Sequence, residues 1–378
     1  MAKVNYQPYQ PKTILNTQKH GDGGWFWGKY SASPYIGCQW GCVYCYCRDE
    51  KYNPHKKLPA EKAAQLDDPF SQYIKIKTNA PELLRKALAK KSKDLIYLDC
   101  YQPVDSKYRM GEKLLKVCYD LGFPVFINCK SPLLLEDLGL LKKIKRKSHL
   151  NIGWSIITAR DDKTRSIFEP KAPPVATRFA AMKKLSQTGI ITGTVFMPIL
   201  PFIYDNAEDI ENVVRSTKEA GGQYVLDGGL TLWGYCGTYF YKALAKYDSG
   251  LVSKYKELYN DNRCFHEYTK QVHELVLKYC RKYKVIPYIP RPVSFYPAKL
   301  RKNKEVAAHL YLEAREIQLS GQGGYREWAY RKGAWALDEM STNIVEIYQQ
   351  EGKDGIKKIK GIGDKLADKI VLILENKI

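Results

Sequence analysis

Short apolar segments alternate with amphipathic segments along most of the chain. The segments between the apolar ones, such as APELLRKALAKK, RMGEKLLKVCYDLG and PPVATRFAAMKKLSQTG, repeat apolar residues at helical spacing. Strands that alternate with helices favour βαβ units and a parallel sheet. The pattern therefore predicts an α/β fold of six strand–helix units. The predicted strands lie at about 31–36, 94–99, 124–129, 150–157, 190–199 and 223–233.

The last third of the chain has a different pattern. Residues 250–284 predict a long helical region, and the proline-rich stretch at 285–305 has the composition of a linker. Everything after about residue 301 is predicted to be helical. The sequence therefore predicts two domains, an α/β domain over 1–300 with an N-terminal extension and a C-terminal helical region, and a small all-α domain over 301–378.

Composition narrows the class of protein. No apolar run approaches the roughly 20 residues of a membrane helix, and the N-terminus has no signal-peptide pattern. Lys and Arg outnumber Asp and Glu by 61 to 40, which gives a net charge of +21. Such an excess attracts polyanions, of which nucleic acid is the usual one, although a lysine-rich surface also serves solubility. The 29 tyrosines add aromatic faces that suit unstacked bases, although they also suit a core.

Four cysteines lie within ten positions of SPYIGCQWGCVYCYCRDE, residues 33–50. Cys38, Cys42 and Cys45 have the spacing C-x3-C-x2-C, and Cys47 follows two residues later. Three thiolates on the loop after the first strand suit a [4Fe–4S] cluster whose open iron chelates S-adenosylmethionine. An electron from that cluster cleaves the sulfonium and yields a 5′-deoxyadenosyl radical. The alternative is a structural zinc site that uses all four thiolates, although zinc sites usually join two separated pairs.

The cysteine motif resembles that of radical SAM enzymes, and specifically of the spore photoproduct lyase-like branch. The similarity continues through YIKIKTNAPELLRKAL, LDCYQPVDSKYRMGEKLL, FINCKSPLLLEDLGLL, WSIITARDDKTRSIFEPKAPPVATRFAAMKKLSQTGI and MPILP, and it covers about residues 30–290. The resemblance implies a partial TIM-like barrel of six βα units, a [4Fe–4S] cluster and S-adenosylmethionine. It assigns the cluster to Cys38, Cys42 and Cys45.

The resemblance also implies cofactor-binding residues. Tyr44 matches an aromatic residue that packs on the adenosine of the cofactor. Lys130 and Ser155 end two strands at places where the family contacts the cofactor, and a lysine suits a carboxylate or ribose while a serine suits a hydroxyl. Asp99 is expected to face the methionine ammonium. Ordinary polarity at strand ends is the alternative reading of these last three residues.

The hydrogen-return chemistry of the branch is only partly matched. Tyr46 corresponds to a relay tyrosine, whereas the aligned position of the hydrogen-donating cysteine is not a cysteine here. Cys100, next to Asp99, is the candidate donor, with a buried strand-end cysteine as the alternative. Cys47 stands where the family usually has another residue, and a resolving thiol, a bystander and a different electron route all remain open. These differences from the family count against photoproduct chemistry, but they do not affect the prediction that the protein generates a radical.

The C-terminal segment IKKIKGIGDKLADKI has the form of a helix-hairpin-helix. Gly361 and Gly363 allow a tight turn whose backbone N–H groups bind a phosphate, and Lys360 is one of several lysines around it. A solvated helical hairpin is the alternative. Residues 302–378 as a whole resemble the small N-terminal domain of family X DNA polymerases.

That second resemblance implies particular contacts with DNA. It assigns a pocket for a DNA 5′-phosphate to Arg326, Tyr330 and Lys365. Lys369 corresponds to the lysine that forms a Schiff base at an abasic site, although a phosphate contact is the more usual role of a helical lysine. These contacts would hold DNA without reading its sequence.

Taken together, the sequence predicts a cytoplasmic radical SAM enzyme that repairs a DNA lesion by lyase-like chemistry. DNA that is damaged, gapped or ended is the expected partner, with RNA as the second candidate, and a ferredoxin or flavodoxin is the expected electron donor. Base flipping is implied, because a lesion must leave the stack to be reached. Two alternatives remain, namely modification of an undamaged DNA or RNA base, and a DNA-binding protein whose Fe–S cluster is not catalytic.

Overall fold

The computed structural model describes residues 4–21, 23–49, 66–260 and 263–377. Six parallel strands lie side by side in chain order and form a curved sheet, with Asn16–Thr17 antiparallel on the outer edge of the first. Helices connect them, which confirms the predicted α/β fold with a partial TIM-like barrel. The strands are β1 (Tyr30–Ala32), β2 (Ile96–Leu98), β3 (Val125–Cys129), β4 (Leu150–Ser155), β5 (Ile191–Phe196) and β6 (Tyr224–Asp227).

Two smaller sheets and the helices complete the described structure. Tyr73–Lys77 pairs with Asn5–Tyr9 and with Tyr35–Ile36, and Tyr259–Asn260 pairs with Arg263–Cys264. Among the described residues, no helix is long and apolar enough to cross a membrane. The α-helices are Pro69–Gln72, Ala80–Leu88, Asp105–Tyr108, Met110–Leu121, Leu138–Lys147, Lys163–Phe168, Val175–Ser186, Ala207–Glu219, Gly234–Tyr247, Gly250–Leu258, His266–Tyr283, Arg301–Leu319, Tyr325–Glu339, Ile344–Lys357 and Asp364–Leu374, and the 3₁₀ turns are Tyr46–Arg48, Pro132–Asp137, Val293–Phe295 and Ala298–Leu300.

Side-chain alternation along the strands separates the two faces of the sheet. On β3, Val125 and Ile127 belong to the hydrophobic cluster shared with the surrounding helices, whereas Phe126 belongs to the cluster inside the barrel. Because strand side chains alternate with a period of two, Asn128 and Lys130 continue the inward face. The carboxyl ends of these strands therefore carry polar side chains into the mouth of the barrel.

The structure corrects several predicted boundaries. The predicted strand at 31–36 is split, since β1 ends at Ala32 and Tyr35–Ile36 pairs in the other sheet. The predicted strand at 223–233 ends at Asp227. The predicted helical region at 250–284 contains two helices, and between them the short strands Tyr259–Asn260 and Arg263–Cys264 pair antiparallel.

The C-terminal helices lie against the open side of the barrel. In the described part of the chain β1 and β6 do not pair with each other. Val306, Leu310 and Tyr311 of the Arg301–Leu319 helix are fully buried in one cluster with the inward-facing Phe126 and Leu226. The proline-rich stretch is packed as well, because Ile289 is buried and its carbonyl accepts a 2.7 Å hydrogen bond from Trp27 Nε1. It is therefore not a free linker, and the boundary at 300/301 stays a prediction.

A buried ionic cluster ties that helix to β6. Arg315 Nη2 lies 2.7 Å from Asp227 Oδ1, and neither side chain is more than 4% exposed. His273 bridges the two elements, with Nδ1 2.8 Å from Asp227 Oδ2 and Nε2 2.9 Å from Glu316 Oε2. Burial opposes the charged imidazole, but the hydrogen bonds to Asp227 and Glu316 outweigh it and raise the pKa of His273 to about 9.

This bridge predicts a pH-dependent stability. The pKa of His273 is higher in the folded chain than the roughly 6.5 of a free imidazole, so its contribution is complete below that pH and is lost as the pH rises through about 9. We expect His273→Gln to cost on the order of 3 kcal/mol at pH 6 and much less at pH 10. Thermal unfolding of both proteins at the two pH values measures this. His309→Gln, an exposed position on the Arg301–Leu319 helix, is the control. A His273→Gln deficit independent of pH would contradict the prediction.

Candidate active site at the mouth of the barrel

The cysteine loop lies at the carboxyl end of the barrel, between β1 and β2 in the chain. Cys42 is buried, whereas Cys38 and Cys45 retain solvent access. Burial raises the pKa of Cys42 to about 11, and burial followed by the nearby Asp99, Cys42 and Cys45 raises the pKa of Cys38. The three thiols are therefore close enough to interact electrostatically.

The thiol arrangement is of the kind an iron–sulfur cubane uses. Within the described ranges, no three His, Cys, Asp or Glu side chains converge on a point that would hold a single metal ion. A cubane binds each thiolate through a different iron, so its ligands need not converge. Three cysteines on one loop, open to a mouth on one side, therefore fit a [4Fe–4S] cluster.

The buried side chain of Arg48 holds the backbone of this loop in place and is called the clamp below. Its side chain is 1% exposed and makes a two-pronged ion pair with Asp68, at 2.8 and 3.0 Å. The same guanidinium donates to the carbonyls of Gly41, at 2.8 Å, and Cys42, at 2.9 Å. It also lies over the rings of Phe70 and Tyr239. Because Arg can serve all these acceptors at once, it fixes the backbone that carries the thiolates.

Removing this clamp should loosen the cluster. In Arg48→Met the two loop carbonyls lose their donor and Asp68 loses its counter-charge, so the thiolates lose their positioning. We expect reconstituted protein to release iron to a chelator about tenfold faster or more. The control is Arg85→Met, because Arg85 pairs with Asp120 at the surface. Iron release as slow as in the wild type would contradict the clamp role.

A second buried network lies on the wall of the mouth and is centred on Glu169. This carboxylate is fully buried, with Lys130 Nζ at 2.8 Å and Arg178 Nη2 at 2.5 Å. Burial alone would raise the pKa of Glu169, but Lys130 and Arg178 outweigh it and hold the pKa well below its usual range. Lys130 also donates to Ser155 Oγ at 2.6 Å, and Arg178 to the Ser155 carbonyl at 2.9 Å. The structure therefore brings Lys130 and Ser155 together at the carboxyl ends of β3 and β4.

Tyr44 belongs to the same network by its hydroxyl. The hydroxyl donates to Glu169 and lies 3.2 Å from Lys130 Nζ. Its ring is buried in a cluster with Cys42 and Ile157. The packing of Tyr44 on an adenosine stays a prediction. The structure shows that its hydroxyl links the cysteine loop to Glu169 and Lys130.

Asp99 and Asn128 also line the mouth, and Asn128 lies on the same face of β3 as Lys130. The Asp99 side chain is reached by solvent, but many protein atoms surround it, as is usual on a cavity wall. The loss of part of its hydration raises the pKa of Asp99 to about 6. Asn128 Oδ1 is a buried acceptor without a hydrogen-bond partner among the described residues. Buried polar atoms are normally paired, so a donor from a bound molecule would complete this wall. An acidic group and an open acceptor in one mouth with a lysine and a serine fit an amino-acid-bearing cofactor.

Tyr46 and Cys47 lie on the 3₁₀ turn that directly follows Cys45. The nearby Cys47 side chain lowers the pKa of Cys45, and Cys45 together with burial raises the pKa of Cys47. Tyr46 is 53% exposed, and the neighbouring Cys47, followed by burial, raises its pKa. Both residues therefore stand beside a predicted cluster ligand.

Cys100 is not brought to the mouth. It is 1% exposed and belongs, with Leu98, to the cluster between the barrel and its outer helices. Since neighbouring residues of a strand face opposite sides, Asp99 faces the mouth and Cys100 faces away from it. Its role as hydrogen donor stays a prediction that this geometry does not favour.

The C-terminal residues of the predicted DNA site lie on a helical hairpin. The helices Ile344–Lys357 and Asp364–Leu374 flank the turn, Gly361 has φ +93°, and Gly363 precedes the second helix. A Cβ on Gly361 would lie 3.8 Å from Lys332, so the turn adjoins the Tyr325–Glu339 helix. This geometry does not establish that the segment belongs to a helix-hairpin-helix family, which stays a prediction.

The basic residues of the predicted DNA site differ in whether an acidic side chain pairs with them. Lys369 Nζ lies 2.5 Å from Glu313 and 6.0 Å from the centre of the Tyr330 ring, so its charge is neutralised in this conformation. Arg326, Lys360 and Lys365 are exposed. The Schiff-base role of Lys369 would require it to leave Glu313.

Sequence reasoning missed three central residues: Glu169, Arg178 and Arg48. Glu169 and Arg178 lie within the longest stretch of family resemblance, and Arg48 follows the cysteine motif. Their charges gave no signal on their own, because most charged residues of a chain are solvated. Their positions inside stretches of resemblance were the signal that was available.

Three comparisons place this chain among known proteins. Residues 32–217 match the family model of the radical SAM superfamily. An uncharacterized protein of Mycobacterium tuberculosis H37Rv is 26% identical over 237 residues, which cover 61% of this chain and 67% of the relative. An uncharacterized protein of Methanocaldococcus jannaschii is 30% identical over 196 residues, which cover 50% of this chain and 66% of the relative.

Solved structures of spore photoproduct lyase share the fold. A cysteine-to-serine mutant aligns with a TM-score of 0.51 at 12% identity, over 74% of this chain and 79% of that chain. A mutant with a dinucleoside spore photoproduct aligns with a TM-score of 0.50 at 14% identity and the same coverage. At such low identity the likeness shows the architecture alone.

Proposed function

Since this chain carries a domain of the radical SAM superfamily, we propose that it is a radical SAM enzyme that repairs a lesion in DNA. The observation that carries the proposal is the mouth of the barrel. There the Cys38–Cys45 loop adjoins a buried lysine–glutamate–arginine network, because the Tyr44 hydroxyl of the loop contacts both Glu169 and Lys130. The superfamily uses a [4Fe–4S] cluster and S-adenosylmethionine.

The cluster and the cofactor each have residues suited to them. Cys38, Cys42 and Cys45 would hold the cluster, with Arg48 fixing their loop. Lys130 would bind the cofactor carboxylate or ribose, Ser155 a hydroxyl, and Asp99 the ammonium. When bound, cluster and cofactor supply a 5′-deoxyadenosyl radical for hydrogen abstraction.

The chain's own residues orient and shield the reacting groups. Glu169 holds Lys130 by a 2.8 Å ion pair, so the ammonium is already in place before a ligand arrives. Such pre-organisation lowers the ordering cost of binding. Tyr44 and Ile157 close the space behind the network with apolar surface, which keeps water away from it.

DNA as the substrate rests on three supports. The net charge of +21 attracts a polyanion. The neighbours that share the fold are spore photoproduct lyases, one of them with a dinucleoside spore photoproduct. The exposed Arg326, Lys360 and Lys365 lie on the C-terminal helices, beside a glycine turn of the kind that accepts a phosphate.

A panel of defined DNAs tests the proposal. Reduced protein and S-adenosylmethionine are incubated anaerobically with UV-irradiated, abasic and undamaged DNA of one sequence, and the nucleosides are analysed by mass spectrometry. We expect loss of a lesion from one damaged DNA and restoration of its parent nucleosides. A changed nucleoside only in undamaged DNA would replace repair by modification. Unchanged nucleosides in every DNA would contradict an enzyme acting on DNA.

A further inference from the structure

We propose that Trp233 and Tyr235 form a platform at the rim of the mouth on which an extruded nucleobase stacks. The inference rests on the proposed function, because it names how the DNA substrate is held at that same site. Both rings stand out as large apolar groups in water, with 47% of Trp233 and 45% of Tyr235 exposed. Neither residue was singled out by its sequence.

The platform belongs to the loop that follows the last barrel strand. After β6 the chain runs through two glycines, and then Leu230 and Leu232 turn inward. Both leucines are buried in the cluster that contains Cys42 and Tyr44. The alternation leaves Trp233 on the solvent side. The loop is therefore anchored under the cysteine motif and presents its aromatic residue at the surface.

Two contacts fix the platform against the cysteine loop. The Cys236 thiol donates to the carbonyl of Tyr44 at 3.1 Å. Gly234 has φ +57°, which favours glycine, and a Cβ there would lie 2.5 Å from the Asp49 carboxylate, so the two segments approach each other closely at this point. Trp233 and Tyr235 flank this point of closest approach. They are thus held next to the 3₁₀ turn Tyr46–Arg48, whose own Tyr46 is half exposed.

The chemistry of this rim suits an unstacked base. Aromatic faces stack on any base, and stacking contributes substantially to the binding of single-stranded nucleic acid. Enzymes that act on a base inside a duplex extrude it into a pocket, where flat apolar side chains take over the stacking it loses. The net charge of +21 draws the phosphate backbone toward the protein. A nucleobase of DNA is therefore the occupant that fits both the rings and the charge.

Photochemical cross-linking locates the base. The probe is a single-stranded oligodeoxynucleotide with one 5-iodouracil, which joins to a neighbouring aromatic ring under near-ultraviolet light, and the modified peptide is identified by mass spectrometry. We expect the cross-link in the segment that contains Trp233 and Tyr235. Cross-links found only in the C-terminal helices would overturn the platform while leaving DNA as the substrate. A probe that does not bind at all would contradict the proposed function itself.

Affinity measurements separate stacking from mere exposure. The double variant Trp233→Ala, Tyr235→Ala should weaken binding of the same oligonucleotide about tenfold or more, and Trp233→Phe, Tyr235→Phe should retain most of it, because a smaller ring still stacks. The control is Phe265→Ala, since Phe265 is 53% exposed on another part of the surface. Iron content after reconstitution reports whether each variant is folded around the cysteine loop. Equal affinity of the double alanine variant and the Phe265→Ala control would overturn the platform.

Discussion

Replacing Cys42 by alanine should reduce iron binding to near zero, whereas reconstituted wild-type protein should hold about four irons. Cys42 is the buried member of the three thiols, with 5% of its surface exposed, and alanine offers no donor atom in its place. The Arg48 guanidinium holds the Cys42 carbonyl at 2.9 Å, so the backbone cannot swing another donor into position. Iron analysis and the visible absorption of the reconstituted proteins measure the effect.

Cys47→Ala is the matched control for this experiment. Cys47 lies close enough to Cys45 to lower its pKa but is not one of the three predicted ligands. We therefore expect this variant to keep most of its iron, because the three predicted ligands of the cluster are all still present. Equal loss of iron in both variants, together with zinc in the wild type, would support the four-thiolate zinc site instead.

Replacing Glu169 by glutamine should cause the second large effect. The substitution keeps the shape of the side chain but leaves Lys130 and Arg178 without their shared counter-charge in a fully buried position. Breaking a buried pair in this way costs about 3–5 kcal/mol. We expect the midpoint of thermal unfolding to fall by roughly 5–10 °C.

The same variant should also bind S-adenosylmethionine more weakly, because Lys130 loses the partner that positions it. Calorimetric titration of the folded variant measures this below its lowered midpoint. Glu112→Gln is the control, since Glu112 is 49% exposed and pairs with Arg109 at the surface, where an ion pair contributes little. A midpoint equal to that of the control would mean that the network does not stabilise the wall.

The barrel was largely predictable because its signal is local. Runs such as VFINC on β3 and LNIGWS on β4 are apolar on both faces, as strands covered by helices and filled from within must be. The Gly234–Tyr247 helix was not predicted, because its first turn is rich in glycine and aromatic residues. The split of the predicted strand at 31–36 depends on pairing with Tyr73–Lys77, which is distant in the sequence.

The site was predictable where a motif carried it and not where charges meet through the fold. The cysteine spacing predicted the loop, and the family resemblance predicted Lys130 and Ser155 as cofactor-binding residues at strand ends. Glu169 comes from another helix–loop segment, and only the tertiary structure brings it to Lys130. Cys100 was a candidate because it adjoins Asp99 in the sequence. Neighbouring positions of a strand face opposite sides of the sheet, so Cys100 faces away from the mouth.

The C-terminal helices show the limit of composition as a guide to domains. Prolines at 287, 290, 292 and 297 suggested a linker, but Trp27 and Tyr296 pack this stretch against the barrel. Asp94 Oδ1 accepts a 2.8 Å hydrogen bond from the Tyr296 hydroxyl, which links the stretch to the start of β2. Variants of single exposed residues, such as Lys360→Ala with Lys365→Ala, therefore test DNA binding better than removal of the helices, which share the barrel's core.

The most direct test of the central claim is the yield of 5′-deoxyadenosine. Reduced, reconstituted protein is incubated with S-adenosylmethionine in the presence and absence of UV-irradiated DNA, with the Cys42→Ala variant as the blank, and the product is quantified by chromatography. The radical SAM assignment with DNA as substrate predicts 5′-deoxyadenosine well above the blank and a further increase when DNA is added. A yield no higher than that of the Cys42→Ala variant, with or without DNA, would contradict it.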